Sequence, residues 1–402
     1  FALGISSIFT LVAIGGYPIA IVAQRMFAAV DSFPLMAIPF FMLAGLLMDR
    51  GGITKRIIDL SLGIVGNIKG ALAQVVSVTA IIMGGISGSG VANTAAIGSI
   101  MIPEMKRRGY DEYFSAALVA CSGSIGLIIP PSIAMIIYGV SAQVSIGDLF
   151  MGGIIPGVGI GAGLMVMSYF IAKKNDYPVE GRVGKREALN RFKKSIWALL
   201  MPVIIIVGIR MGVFTPTEGG CVAAVYALVI GMFVHKDVKP NQVLKIFADA
   251  VIITASISFL IATSSLFSWI LTAEQIPQMV TRFFLSLTNN KYVMLLLINL
   301  LLIIVGMFID SGPAIILLAP ILVPVASAMG INLVQFGVMM VINLTTGLLT
   351  PPVGTALFVA SNISGLSLGK LSIAIIKFLL VMYAVLLLTA YVPFLTTWAI
   401  PK

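Results

Sequence analysis

The chain has 402 residues, of which 59% are hydrophobic and only 10% charged, and its mean hydropathy is +1.10; a soluble domain carries about 25% charged residues, so a soluble globular enzyme is excluded. The composition reads as a polytopic helical membrane protein, in which 40 Gly and 19 Pro are tolerated. The lone histidine, His235, excludes a multi-histidine metal site, Cys121 and Cys221 form no metal or disulfide framework, and the net charge of +10 raises nucleic acid as a partner only until its placement is read.

Crossing the ~30 Å hydrocarbon core takes about 20 apolar residues in a helix. In chain order, spans are predicted near 2–24, 33–49, 112–140, 149–172, 195–214, 217–235, 243–271, 332–361 and 371–393. Two regions break the pattern. Residues 70–105 and 292–326 each hold two apolar stretches of about 14 residues around a glycine-rich or polar centre, which is too short to cross and reads as a re-entrant hairpin. The tips are predicted at Gly84–Thr94 and at Gly306–Pro313. Residues 53–66 and their counterpart near 274–287 read as interfacial arms. The chain opens on Phe1 rather than Met, and no basic stretch, short apolar run and cleavage site in series marks a signal peptide.

A shift of 221 residues superposes the punctuation of the two halves. Pro103 meets Pro324, Gly109 meets Gly330, Gly126 meets Gly347, and Pro130-Pro131 meets Pro351-Pro352. The expected organisation is a first repeat over 1–172 (hairpin 70–105, broken helix 112–140), a basic loop and linking span over 173–215, and a second repeat over 216–402 (hairpin 292–326, broken helix 332–361). Cytoplasmic loops collect Lys and Arg. Placing the basic segment 173–194 inside puts nineteen of the 25 basic residues there and leaves Arg25, Arg210, Arg282, Lys291 and Lys402 outside, with Lys377 inside a span. The charge therefore describes topology, and no nucleic-acid surface is expected. The same threading brings the first hairpin in from the cytoplasm and the second from outside. The repeats are expected to be inverted, with the N-terminus cytoplasmic and the C-terminus periplasmic.

Inverted repeats with broken helices near the midplane mark secondary transporters. Besides the two tips, breaks are predicted at Ser122–Ser132 and at Asn343–Thr355. Consecutive prolines remove two backbone donors and force the preceding residue out of helix. The freed carbonyls, with Ser, Thr and Asn side chains, suit a hard cation such as Na⁺. The half-helix that follows turns its positive dipole end to the same space, which suits an anionic group. Ser87, Ser89, Asn93 and Thr94 crowd one tip, Asp310 is an intramembrane carboxylate, and Asn343, Thr345, Thr346 and Thr350 precede the second proline pair. Ser132 and Thr355 follow the proline pairs, where helix capping is the simpler role. Glu218 reads as a solvated acid, His235 as a loop residue, and Cys121, Cys221 and Met339-Met340 as core.

The stretches Gly85–Ser89, Gly98–Pro103, Ile128–Ser132, Gly152–Gly157 and Thr350–Gly354 resemble the large membrane subunit of tripartite ATP-independent periplasmic (TRAP) transporters over nearly the whole chain. The resemblance implies the ion-transporter-superfamily fold, all-α, with a scaffold and a transport domain that moves as an elevator. It implies coupling to two or more Na⁺ ions and three partners: a small four-helix membrane subunit, a periplasmic substrate-binding protein and, as substrate, an organic acid such as a sialic acid or C4-dicarboxylate. The setting it implies is the lipid of the bacterial inner membrane. Carried over, one cation site lies between Ser87, Gly88 and Asn93 and the break at Gly126 and Ile129. A second lies between Gly306 and Asp310 and the break at Thr345, Thr346, Gly347 and Thr350. Substrate is expected near Ser87, Ser89, Ser132, Asp310 and Thr355. The family pattern has an acid where Asn93 stands, a departure expected to alter ion affinity. A stand-alone Na⁺-driven dicarboxylate or citrate symporter of the same superfamily is the runner-up reading. An intramembrane hydrolase is remote, because histidine–serine pairing and a paired-aspartate signature are both missing.

Overall fold

The computed structural model describes residues 1–181 and 184–400, and every regular element among them is helical. Arg182 and Lys402, both used in the charge argument, lie outside the described residues, as does the side chain of Lys185.

The run predicted as one span over 2–24 is two helices, α1 (Ala2–Ile14) and α2 (Ala20–Val30). Gly15 and Gly16 take φ of +69° and +83° at the junction, a left-handed turn that glycine enters without Cβ strain, and Pro18 follows. A single turn of 3₁₀ helix (Phe33–Met36) leads into α3 (Ala37–Arg50), and the interfacial arm is α4 (Ile53–Val65). The first hairpin is α5 (Ala71–Ser87) and α6 (Gly90–Arg107). Its tip is only Gly88-Ser89; Gly84 and Gly85, expected in the tip, continue α5, so the glycine content there serves close packing more than turning. The first broken helix is α7 (Glu112–Ser124), a 3₁₀ turn (Ile125–Leu127) and α8 (Ile133–Ala142). Next come α9 (Ile146–Lys174), α10 (Lys185–Arg210) and α11 (Pro216–Val229), which widens into a π turn over Ile230–Val234. Helix α12 (Pro240–Ala273) is the longest, with 34 residues. The second arm, hairpin and broken helix are α13 (Ile276–Leu287), α14 (Lys291–Gly306) with α15 (Ser311–Ala328), and α16 (Leu333–Gly347) with α17 (Thr355–Ser364). The run 371–393 divides into α18 (Leu368–Ala374) and α19 (Ile376–Tyr391), before a last turn α20 (Phe394–Thr397).

Among the described residues six helices are long and apolar enough to span: Phe33–Arg50, Ile146–Lys174, Arg186–Arg210, Pro216–Val234, Pro240–Ala273 and Ser311–Ala328. The pair α17–α18, bent by 112°, makes a seventh if counted as one span. Helix α15 belongs to this set by length and apolarity although it reads as a hairpin limb in the sequence. Displaced by 221 residues, the bounds of α6 fall on 311–328, those of α15, and α7 and α8 fall on 333–345 and 354–363, within two residues of α16 and α17. Both proline pairs, Pro130-Pro131 and Pro351-Pro352, are cis.

The core sits where the two broken helices meet the hairpins. All of α16 beyond Leu333 is buried, as is nearly all of α7. Packing crosses between the halves. Helix α8 lies on α15 and α16, whereas α17 lies on α6 and α7. Lipid tails are as apolar as leucine, so helix association here depends on close approach and on polar contacts rather than on transfer out of water. Two places show it. A Cβ on Gly123 would stand 2.2 Å from Thr94 Oγ1, and one on Gly337 would stand 2.2 Å from the Tyr138 ring. Glycine lets α7 meet the backbone of α6 and lets the Tyr138 ring lie directly on α16, where its hydroxyl donates to the Leu333 carbonyl at 2.9 Å. A second layer surrounds this block: α11 packs on α3, α12 on α2 and α3, and α10 on α4 and α11.

Candidate substrate and cation sites

Both hairpin tips line one cavity of about 300 Å³. Gly88 and Ser89 enter from the first tip, Asp310, Ser311, Gly312 and Pro313 from the second, and Ile133, Ala134 and Ile137 from α8. The far wall is α12, through Ile253, Ser256, Ile257 and Leu260. Three helix N-termini therefore open on one space. Ser89 caps α6 by accepting from the Ala92 N–H at 3.3 Å, and Asp310 caps α15 by accepting from the Ser311 N–H at 2.6 Å. Ser132 caps α8, accepting from the Met135 N–H at 3.2 Å while its hydroxyl donates to the Leu127 carbonyl at 2.5 Å. The lining holds no Lys or Arg, and Asp310 is its one charged residue.

The first tip is fitted to the first break by glycine. A Cβ on Gly88, whose φ is +61°, would stand 2.8 Å from the Pro131 carbonyl oxygen, and one on Gly126 would stand 2.2 Å from Asn93 Nδ2. Asn93 is wholly buried. Its Oδ1 accepts from the Ser87 hydroxyl at 2.6 Å, whereas its Nδ2 is buried without a partner. Ser87, Ser89 and Asn93 also line a second cavity of about 60 Å³ against α3, room for a small ion or a few waters. Gly84 packs on Gly126 and on Ile129 from the same helix face. Ser87, Gly88, Asn93, Gly126 and Ile129 are thus brought together.

At the second tip, a Cβ on Gly347 would lie 2.5 Å from the Gly306 carbonyl carbon and 2.7 Å from its oxygen, so α14 ends in backbone contact with α16. Thr346 and Thr350 turn their hydroxyls back to the carbonyls of Ile342 and Thr346 at 2.8 and 2.9 Å. Among the described residues, Thr345 Oγ1, Thr355 Oγ1 and Asn343 Oδ1 are buried without hydrogen-bond partners. Gly306, Gly347 and the threonines form one cluster. Asp310 stands apart from it, lining the cavity and capping α15. Ser132 and Thr355 do not line that cavity; Ser132 is wholly buried as a cap.

Several participants escape a reading of the sequence. Asn299 receives hydrogen bonds from Asn343 Nδ2 on its side-chain oxygen at 2.8 Å and on its carbonyl at 3.1 Å. Its signal was an amide inside an apolar run. Tyr383 from α19 brings its hydroxyl within 3.3 Å of Thr350 Oγ1. Ser256 and the apolar face of α12 carry no mark that distinguishes them from other lipid-embedded residues. Two expectations are corrected. Cys221 is exposed rather than core, because lipid-facing and core positions are equally apolar. Glu218 is not merely solvated: it completes a capping box at the start of α11, accepting from the Thr215 N–H at 2.8 Å.

Two hairpin tips, the first largely buried and the second exposed at Phe308, Ile309 and Asp310, stand against two proline-broken helices. Solved structures of this fold include the YdaH transporter of Alcanivorax borkumensis, with 14% identity and a TM-score of 0.67 over 94% of this chain and 87% of that one. Another is MtrF of Neisseria gonorrhoeae, with 13% identity and a TM-score of 0.63 over 91% and 83%. Residues 1–395 match the family model of the tripartite ATP-independent periplasmic transporter DctM component, and the chain belongs to that family. The isethionate TRAP transporter permease protein DctMQ of Oleidesulfovibrio alaskensis is 44% identical over 395 residues, 97% of this chain and 62% of that protein. This chain thus spans less than two thirds of that relative. The C4-dicarboxylate large permease protein DctM of Pseudomonas aeruginosa is 38% identical over 98% of this chain and 92% of its own. The sialic acid large permease protein SiaM of Vibrio cholerae is 42% identical over 92% and 87%.

Proposed function

We propose that this chain is the large membrane subunit of a Na⁺-driven importer of a small organic anion in a bacterial inner membrane. Its partners are a periplasmic substrate-binding protein and a small four-helix membrane subunit. The observation that carries the reading is the shared cavity: three helix N-termini and both tips converge on it, and no cationic side chain lines it. An anion there is met by oriented N–H groups and hydroxyls. A partly buried helix terminus contributes up to about 2 kcal/mol toward an anion, against a desolvation cost of several kcal/mol per ion. Na⁺ held in the neighbouring tip-and-break clusters offsets the remainder, so that anion binds well only beside the cation. That is linkage between two ligands on one conformation.

The two halves serve as inverted repeats over 1–172 and 216–402, joined by 173–215. The hairpins and broken helices move as one block against the layer of α3, α10, α11 and α12. The wall of α12 is then the fixed surface past which the tips slide. The test is reconstitution of the chain with its small subunit and candidate binding proteins, measuring uptake of isethionate, a C4-dicarboxylate and a sialic acid under a Na⁺ gradient. Uptake that needs both the gradient and a binding protein supports the reading. Uptake by the chain without either partner assigns it to the stand-alone symporters, and uptake indifferent to Na⁺ removes the coupling.

A further inference from the structure

Away from the tips, a cavity of about 800 Å³ opens where the α3–α4 turn, the Lys193–Trp197 stretch of α10 and the end of α11 meet. Arg50, Lys55, Arg56, Lys193 and Lys194 line it, opposed only by Asp59 and Asp237. Arg56 is already engaged. It pairs with Asp237 at 2.7 Å and donates to the carbonyls of Gly51 and Gly52 at 2.9 and 3.0 Å. Arg50 reaches Asp249 at 3.9 Å. Among the described residues Lys55, Lys193 and Lys194 make no ion pair, so the charge excess of this space rests on them.

The π turn at the end of α11 shapes the floor. It lets the backbone turn back, with Asp237 and Val238 donating to the Gly231 carbonyl at 3.1 and 3.2 Å, and it sets His235 against the cavity. Both imidazole nitrogens are buried without a hydrogen-bond partner among the described residues. A buried donor or acceptor left unpaired is costly, so the ring is placed for a group that supplies one. The rim is amphiphilic. Trp197 is 41% exposed and Val234 44% exposed beside the lysines. Exposed apolar side chains next to unpaired ammonium groups match a molecule with an anionic head and hydrocarbon tails, since basic pockets between spans bind anionic lipid headgroups.

The geometry points to a binding site for a phosphate-bearing anion in this cavity, with Lys55, Lys193 and Lys194 taking its charge and His235 its oxygen. A lipid phosphodiester and free inorganic phosphate share that chemistry. His235 is the only histidine of the chain, so its ring signal in NMR reports the site alone. Without ligand the ring is held below its ordinary value by burial and by Arg56, with Asp237 acting the other way. A bound anion favours the imidazolium.

The experiment titrates His235 in the full chain in phosphatidylcholine nanodiscs, in the same discs containing cardiolipin, and in phosphatidylcholine discs with inorganic phosphate added. Lys193→Gln/Lys194→Gln is titrated alongside, because an anionic bilayer raises every surface histidine somewhat and the variant keeps that general effect. The expected result is a rise of about one pH unit with cardiolipin in the wild type beyond that in the variant. A several-fold loss of cardiolipin adducts from the variant in native mass spectrometry accompanies it. An equal rise with inorganic phosphate alone supports the site and assigns it to a soluble anion. Equal shifts in wild type and variant, or adducts that persist in the variant, overturn it.

Discussion

Gly347→Ala puts one methyl group where α16 touches the end of α14. The new Cβ would lie 2.5, 2.6 and 2.7 Å from the carbonyl carbon, Cα and carbonyl oxygen of Gly306. Favourable carbon contacts lie near 3.5–4.0 Å, so one helix must retreat by about 1 Å. The obstacle is backbone, so no side chain can turn aside to relieve it. Overpacking of this kind costs about 1–3 kcal/mol, and alanine returns nearly 1 kcal/mol of helix propensity. The net loss is small enough to leave the protein folded. The displaced group is the Gly306 carbonyl, which the cation reading places beside Thr345 and Thr350. A loss of about 1.4 kcal/mol in cation binding is tenfold in affinity. Half-maximal uptake should therefore need at least about ten times more Na⁺, with little change in detergent melting temperature. Gly369→Ala is the control, because its Cβ meets nothing within 4 Å. Gly126→Ala should act more mildly, since its nearest obstacle is the end of the Asn93 side chain. Wild-type Na⁺ dependence in Gly347→Ala, or an equal defect in Gly369→Ala, would refute the reasoning.

Other perturbations separate roles that the geometry superimposes. Asp310→Ala removes both a charge and a cap worth about 0.5–2 kcal/mol, whereas Asp310→Ser keeps a capping oxygen; uptake should be lost in both, and restoration by serine would reduce Asp310 to a cap. Asn343→Ala strands the buried Asn299 side-chain oxygen at a cost of about 1–3 kcal/mol, which should lower the melting temperature more than Asn299→Leu/Asn343→Leu, where no amide is left unpaired. Burial, with the Arg56 charge, holds the His235 ring below its ordinary value, so its contribution to stability is full above about pH 6.5, the unfolded value, and falls as pH drops through the folded one. His235→Gln should flatten the loss of thermal stability between neutral and mildly acid pH, and an unchanged slope would exclude the ring as its source.

The elements that positioned the candidate site were legible because each has a local cause. Pro130-Pro131 and Pro351-Pro352 break any helix that contains them, and the first limbs of the two hairpins, α5 and α14 with 17 and 16 residues, are short for a crossing. The polar residues of the first tip stood out against an apolar background, and the structure sets Asn93 against Gly126 at the first break. Less was legible wherever the signal was merely apolar. The run 2–24 looked continuous, yet Gly15 and Gly16 turn it; Cys221 looked like core, yet it faces outward.

From the chain alone came the membrane setting, the two hairpins, the two breaks and their spacing of 221 residues, because hydropathy, proline and glycine act within a few residues of themselves. Only the folded molecule decided that α8 rests on the second hairpin and α17 on the first, that α12 walls the cavity, and that three lysines and a histidine face one basic pocket. The contacts of α17 with α6 and α7 join residues more than 230 positions apart in the chain. No periodicity in a sequence records which distant surface a helix meets when lipid and protein neighbours are equally apolar.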